Sequence, residues 1–349
     1  MTRRRALAAL ATAPLLAGAC AAPQTAALKR ALGDSRGTGR ASSAGELPTS
    51  AQAAGEVRSA ARSAPVERAR VAGVPFFAQR DYECGPAALA MAMSHAGVPV
   101  TPETLVPEVW LPARRGALQA EMLAAPRRRG LLATRLRGGL DGPLEAVAGG
   151  VAAVVFQNLG LSIAPVWHYA VLIGYDLAAG TVELHSGVDE AVLQSMHAFE
   201  RTWVRGGSWA MAVTAPQRLP AGADEAALLR AAAALERVAP AAAAQTWEAL
   251  FGRLPDNRIV LLGRGNAAWA LGEHARARAA WQLAVERHPD FADAWNNLAH
   301  ALAEAGDMAA AREAAKRALA LGGVRADAYR QTFERVVVPS EGSPKLPMP

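Results

Sequence analysis

A cysteine stands at the predicted start of a helix, in a setting that favours nucleophilic chemistry. Gly85 and Pro86 follow Cys84 directly, and an uninterrupted helical pattern begins after the proline, a residue that suits the first turn of a helix. There the unpaired N–H groups and the helix dipole favour the thiolate, so we expect a lowered pKa for Cys84. Gln79, five residues upstream, has a side-chain amide that can donate to an oxyanion beside the sulfur. A buried structural cysteine is the alternative interpretation.

A thiol nucleophile needs a base, and His168 is the best candidate among the seven histidines. His168 opens an apolar run that predicts a strand, in the same part of the chain as Cys84. His95 is expected about three helical turns from Cys84, at the far end of the same helix, and is too distant to serve. The alternative for His168 is a histidine that only stabilises the end of a strand.

Residues 71–215 have the pattern of a mixed domain that would position these side chains. Short runs rich in β-branched residues, bounded by Gly, Asp and Pro, predict strands; they lie at 151–156, 169–173, 181–184 and 209–213. Helical stretches precede them, at 84–96 and 117–129. Helices first and strands second indicate the α+β class.

Residues 224–323 are alanine-rich and have an internal period of 34 residues. Trp247 and Trp281 are one period apart, and Pro255 with Pro289, Leu261 with Trp295 and Gly272 with Gly306 keep the same step. This period, with small and large residues at fixed places, resembles the tetratricopeptide repeat. We therefore expect an all-α repeat domain of about two regular units and a degenerate first one. An unrelated helical hairpin domain is the alternative, and residues 324–349 are expected to form a tail.

The first residues have the form of an export signal. Three arginines precede a short apolar stretch that ends in small residues before Cys20. This arrangement resembles a bacterial lipoprotein signal over residues 1–19, with Cys20 as the lipidated residue and residues 20–70 as a flexible linker. An ordinary cleaved signal and a twin-arginine signal are the other possibilities. The interpretation places the protein in the cell envelope, at the outer membrane facing the periplasm.

The composition argues against several other function classes. The net charge of +6 comes almost entirely from arginine, since the lysines are only Lys29, Lys316 and Lys345, and we expect no nucleic-acid partner. The sequence contains no Cys/His cluster with metal spacing, no phosphate-binding loop and no dinucleotide fingerprint. We therefore predict no cofactor and no metal.

Two blocks of residues resemble a known family over about residues 71–215. Gln79-x4-Cys84-Gly85-Pro86 and His168-Tyr169-Ala170-Val171 are similar to the bacteriocin-processing, double-glycine-leader cysteine peptidases of the papain-like clan. The resemblance implies a papain-like fold in which Gln79 builds the oxyanion hole, Cys84 attacks and His168 is the base. The family orients its histidine with an Asp at the end of the next strand. Here strand alternation aligns Ser186 with that position, beside His185, and Asp176 is expected to be structural.

These observations predict a cell-envelope cysteine peptidase joined to tetratricopeptide repeats that bind a protein partner or the substrate. The substrate class is a protein or peptide, and the lipid on Cys20 provides the membrane anchor. A catalytically inactive scaffold that acts by protein–protein interaction is the first alternative. A Cys-His acyltransferase, which passes the acyl group to an amine, is the second.

Overall fold

The computed structural model describes residues 66–79, 83–114 and 116–337. A mixed α/β region with a central sheet comes first, and a region of helices follows it. The predicted order of an α+β domain and an all-α domain is therefore confirmed at this level of description.

The sheet of the first region is antiparallel throughout and has seven strands. Its order is β4-β9-β5-β6-β7-β8, and β1 pairs with the part of β6 that extends beyond β5. A separate two-stranded hairpin is formed by β2 and β3. The strand bounds are β1 Arg68–Arg70, β2 Trp110–Leu111, β3 Gly116–Ala117, β4 Leu132–Arg135, β5 Ala153–Asn158, β6 Trp167–Asp176, β7 Thr181–Ser186, β8 Asp189–Ser195 and β9 Trp209–Thr214.

Five helices accompany the sheet within the described residues. The first is apolar on all sides and its residues 85–93 are buried, as is typical of a helix enclosed by a core. It packs against β6, and its first residue is Cys84. The helix bounds are α1 Cys84–His95, α2 Pro102–Val109, α3 Gln119–Arg128, α4 Asp141–Ala148 and α5 Met196–Arg205.

Seven further helices form successive antiparallel pairs and a last single helix. Their bounds are α6 Glu225–Glu236, α7 Pro240–Arg253, α8 Arg258–Ala270, α9 His274–Arg287, α10 Ala292–Glu304, α11 Met308–Leu321 and α12 Ala326–Val337. Trp247 of α7 and Trp281 of α9 pack on two glycines of the helix between them, α8. A Cβ at Gly263 would lie 2.3 Å from Trp247, and one at Gly265 would lie 2.2 Å from Trp281.

One hydrophobic core spans the sheet and the first helices of the second region. Leu228 and Ala231 of α6, and Trp247 and Leu250 of α7, belong to the same buried cluster as the strands. Helix α6 contacts both β4 and α3. The first helical pair therefore completes the core of the sheet region as well as beginning the repeat array.

Two predicted boundaries differ from the structure. The linker was expected to reach residue 70, yet Arg68–Arg70 is strand β1, which the backbone of β6 and ion pairs from Arg68 to Asp176 and from Arg70 to Glu183 hold in place. The tail was expected from residue 324, yet α12 buries Tyr329 and its neighbours on the same helical face. Neither segment has the long apolar run that predicts a strand or a helix.

Within the part of the chain that the structure describes, no helix is long and apolar enough to cross a membrane. The same residues contain no group of three or more His, Cys, Asp or Glu side chains placed to hold a metal ion.

The glycine beneath Trp281 gives a direct test of the repeat packing. We expect Gly265→Ala to lower the free energy of unfolding by about 1–3 kcal/mol, because the new methyl overlaps a buried, rigid indole. Gly252→Ala is the matched control, since a Cβ there meets nothing within 4 Å and alanine favours the helix by up to about 1 kcal/mol. Urea unfolding measures both variants. Equal stability of the two would contradict the packing described here.

Candidate active site

The backbone of Tyr169 joins two of the predicted site residues. The start of α1 packs against Tyr169, whose backbone favours the thiolate of Cys84 and so acts to lower the pKa of the thiol. The Gln79 side chain donates from Nε2 to the carbonyl oxygen of Tyr169, at 3.2 Å. Since His168 is the preceding residue of β6, the structure brings the predicted nucleophile, the predicted oxyanion donor and the predicted base to one short segment of strand.

His168 is hydrogen bonded to Ser186, the residue that strand alternation aligns with the family's Asp. Nε2 of His168 lies 2.9 Å from Oγ of Ser186, because β6 and β7 pair directly and Ser186 is the last residue of β7. In the tautomer whose Nε2–H donates to this hydroxyl, Nδ1 is the nitrogen that can accept a proton. The expected contact is therefore present, and its role in catalysis stays a prediction.

A second hydrogen bond ties Gln79 to the same end of the sheet. Its backbone N–H donates to the carbonyl of Gly187 at 2.9 Å, next to Ser186 in the turn between β7 and β8. The segment before Gln79 is held by His185, which is 2% exposed and lies 3.3 Å from the carbonyl of Val74 through Nε2. His185 thus supports the segment that carries Gln79.

The residue after Cys84 must be glycine for α1 to begin where it does. A Cβ at Gly85 would lie 2.5 Å from Cβ of Ala117 in strand β3. The Tyr169 hydroxyl donates to the carbonyl of Ala117 at 3.2 Å, so β3 is fixed to β6 directly beside the helix start. The Gly-Pro pair that indicated a helix N-terminus is therefore also a requirement of close packing at the site.

Burial governs the ionisation of both reactive groups. It raises the pKa of the Cys84 thiol above its ordinary value, and the backbone hydrogen bonds at Tyr169 and Gly85 offset only part of this effect. Burial also lowers the pKa of His168. The expectation of a lowered pKa for Cys84 is therefore wrong, because desolvation of the buried thiol outweighs the backbone groups that favour the thiolate. Both groups are neutral near pH 7.

The other residues considered from the sequence lie away from this cluster or outside the described residues. His95 is at the far end of α1, where Nε2 is 3.5 Å from the carbonyl of Gly150. Asp176 accepts a hydrogen bond from the backbone of Ala179 and pairs with an arginine of β1, which is the expected structural role. Cys20 lies outside the described residues.

Sequence reasoning missed the contributions of Tyr169 and Gly187, which act through backbone atoms. Hydrogen bonds to a peptide group leave no trace in residue type, so no sequence signal marks them. The Tyr169 ring, by contrast, is 1% exposed and contacts the rings of Phe156 and Trp209. An aromatic residue in the middle of an apolar strand is the signal that could have identified it as the anchor of β6.

Comparisons with known proteins give a family for part of the second region. Residues 262–330 match the family model of the tetratricopeptide repeat. No curated protein matches the chain. The repeats inferred from the 34-residue period are therefore confirmed over that range.

Among solved structures, the chain is similar to a candidate C39-like peptidase from Bacillus anthracis, with 21% identity over 43% of this chain and 98% of the other, and a TM-score of 0.36. It is also similar to the TPR2B domain of yeast Sti1 in complex with pHsp70, with 19% identity over 32% of this chain and 96% of the other, and a TM-score of 0.30. The TPR domain of Sgt2 from Aspergillus fumigatus has 23% identity over 34% of this chain and 86% of its own length, with a TM-score of 0.30.

Proposed function

We propose that the chain is a thiol-dependent peptidase of the cell envelope whose repeats bind the protein substrate or a protein partner. The observation that carries the proposal is the convergence of Cys84, Gln79 and His168 on one segment of β6. Gln79 donates to the carbonyl of Tyr169, the backbone of Tyr169 acts on the Cys84 thiol, and the adjacent His168 is hydrogen bonded to Ser186. Cysteine, histidine and a side-chain amide together provide a nucleophile, a base and an oxyanion donor. The same residues carry the resemblance to the papain-like clan.

The proposed reaction is acyl transfer to the thiol followed by hydrolysis. Sγ of Cys84 attacks the carbonyl carbon of the scissile peptide while its proton passes to Nδ1 of His168, and the second N–H of Gln79 Nε2 donates to the oxyanion. Collapse of the tetrahedral intermediate breaks the C–N bond, and the imidazolium gives its proton to the leaving amine. His168 then deprotonates a water molecule, which hydrolyses the thioester and returns the free thiol.

The neutral state of Cys84 and His168 before the reaction determines what Ser186 has to contribute. The thiol holds its proton until the substrate is attacked, so charge separation develops only in the transition state. A serine hydroxyl orients the imidazole but adds no charge to stabilise an imidazolium, whereas the carboxylate of a triad supplies both effects. Ser186 therefore contributes one ordinary hydrogen bond, worth about 1 kcal/mol.

The repeats are proposed to position a protein against this site. Stacked helical pairs present an extended surface that suits a protein chain. Adjacent pairs are joined by a partly buried hydrogen bond from Nδ2 of Asn297 in α10 to Oδ1 of Asn266 in α8, at 2.9 Å. This bond contributes to the relative orientation of the pairs and hence to the shape of the surface on which a partner would lie.

Substitution of Cys84, His168 and Ser186 tests the proposed reaction. A proteome-derived peptide library is incubated with each variant, and new termini are counted by mass spectrometry. Cys84→Ala and His168→Ala should abolish cleavage. Ser186→Ala should lower kcat/KM about three- to tenfold, the effect of one hydrogen bond, against about 10⁴-fold for loss of a triad's carboxylate function. Ser186→Asp should preserve or raise the rate.

Ser195→Ala is the matched control, since Ser195 is exposed and its side chain caps nothing. Cleavage that survives Cys84→Ala would exclude the thiol mechanism. Added ethylamine separates hydrolysis from acyl transfer, because a transferase yields ethylamide products in place of free carboxylates. If the native protein produces neither, the scaffold interpretation replaces the peptidase.

The pH dependence follows from the two pKa shifts. A lowered pKa for His168 keeps the base neutral to lower pH, and a raised pKa for Cys84 keeps the thiol protonated to higher pH. In a Cys20→Ala background, iodoacetamide alkylation of Cys84 should inflect above about 8.5, the value of a free thiol. The plateau of kcat/KM should extend below about pH 6.5 on its acid side. An alkylation inflection below that of free cysteine in the same buffer would indicate a thiolate–imidazolium pair instead.

Anchoring through Cys20 is the remaining part of the proposal. Mass spectrometry of the protein purified from bacterial membranes should give a mature chain that begins at Cys20 and carries acyl groups. In a Cys20→Ala chain the acyl groups should be absent. An unmodified N-terminus at another residue would reject lipidation and leave one of the cleaved-signal alternatives.

A further inference from the structure

A projecting apolar hairpin lies beside His168. Residues 159–167, here called the apolar hairpin, connect β5 to β6 and enter the strand at Trp167. No Asp, Glu, Lys or Arg occurs anywhere in this segment. Its large side chains are turned to solvent, with exposed fractions of 47% for Leu159, 66% for Leu161, 93% for Ile163, 56% for Val166 and 53% for Trp167.

The apolar hairpin is an ordered structure and not a loose loop. The N–H of Leu159 donates to the carbonyl of Val166 at 2.8 Å, and a bridge joins residues 161 and 164. Oδ1 of the buried Asn158 accepts from the backbone N–H groups of Gly160 and Val166, at 3.0 and 2.9 Å. The hydrogen bonds therefore hold the apolar side chains outward, and a persistent exposed apolar patch of this kind marks a surface that contacts something else.

The shape of the apolar hairpin favours a lipid surface over a peptide. An apolar peptide side chain is recognised in a concave pocket that encloses it, whereas Ile163 stands almost fully free at a convex tip. Trp167 stacks on Phe156 with ring centroids 5.3 Å apart and remains half exposed. Tryptophan in this half-buried position at the base of an apolar element is typical of the boundary between lipid and water.

The charges around the apolar hairpin complement a membrane with anionic headgroups. Arg205, at the end of α5, donates to the carbonyl of Asn158 at the hairpin base, at 3.0 Å. Arg201 is exposed one helical turn earlier, on the same face of α5. Asp189 and Glu190, at the start of β8, are two strands away from His168 in the sheet order. Asp176 and Glu183, in β6 and β7, form ion pairs with the arginines of β1.

We propose that the apolar hairpin inserts into the outer part of a lipid bilayer, with Leu161 and Ile163 among the acyl chains. Arg201 and Arg205 contact anionic headgroups, and Trp167 lies at the interface. Because Trp167 precedes His168 directly, insertion holds the mouth of the candidate active site at the membrane surface. The inference rests on the fold alone and would hold for a peptidase and for an inactive scaffold.

A fluorescent probe on the tip tests insertion without relying on the N-terminal anchor or on activity. The full chain carrying Cys20→Ser, Cys84→Ala and Ile163→Cys is labelled with the environment-sensitive dye NBD. Vesicles of three parts phosphatidylcholine to one part phosphatidylglycerol should shift the emission to shorter wavelength and raise its intensity. Lipids with a nitroxide on the acyl chain should quench it.

The same label on Leu193→Cys is the matched control, since Leu193 is 72% exposed on β8, away from the apolar hairpin. Its emission should not change with vesicles. An unchanged spectrum at position 163 would overturn the proposal, even if the protein bound the vesicles through another segment. A shift at position 163 that appears with the peptide library and not with vesicles would overturn it as well, and would identify a peptide surface.

Affinity for vesicles measures the contribution of individual residues. In the Cys20→Ser background, Leu161→Asp and Ile163→Asp should each weaken cosedimentation with the same vesicles at least about tenfold, the value of one buried aliphatic side chain. Arg201→Gln should weaken binding to these vesicles and leave binding to pure phosphatidylcholine unchanged. Leu193→Asp should have no effect. Equal affinities of the hairpin variants and the Leu193 control would contradict insertion.

Discussion

The peptide groups of one strand residue, Tyr169, hold the candidate site together. The carbonyl accepts a hydrogen bond from the side-chain amide of Gln79, and the backbone of the same residue favours the thiolate of Cys84. Tyr169 pairs with Phe156 of β5, while the pairing of β6 with β7 begins only at Val171. Because the neighbouring residue is His168, the register of the same strand also decides how the base meets Ser186. A one-residue slip of β6 would exchange the faces of His168 and Tyr169 and separate every pair.

Burial of the candidate site changes the ionisation of its reactive groups. The packing that brings Cys84 against β6 removes it from water, which raises the pKa of the thiol and keeps the pair neutral. In such surroundings an ionised carboxylate beside the imidazole would itself carry a desolvation cost. A hydroxyl at position 186 is therefore compatible with a neutral pair, in which the imidazole needs orientation more than charge. The hydroxyl of Ser186 and the burial of Cys84 are therefore consistent with each other, because both suit a thiol and an imidazole that are uncharged before the reaction.

The parts of the fold that could be predicted are those with a local cause. Gly85 and Pro86 mark the start of α1, and the 34-residue period marks the helical pairs of the second region. Strand β1 could not be predicted, since Arg-Ala-Arg has no apolar pattern and pairs only because β6 extends beyond β5. The direction of the Cys84 pKa shift was also beyond local reasoning: the helix dipole can be read from the sequence, whereas burial is decided by distant residues.

The hydrophobic core that α6 and α7 share with the sheet makes the two regions inseparable. Helix α6, which carries Leu228, contacts β4, and Trp247 of α7 belongs to the same buried cluster. A chain cut after β9 would open the side of the sheet at β4 to water, and a repeat array freed from the sheet would begin with an uncovered apolar face. The first helical pair therefore covers both the first apolar face of the array and one side of the sheet core. Evolution could therefore lengthen this protein by adding pairs at its far end, but could not exchange the repeats as a module without rebuilding the domain that holds the thiol.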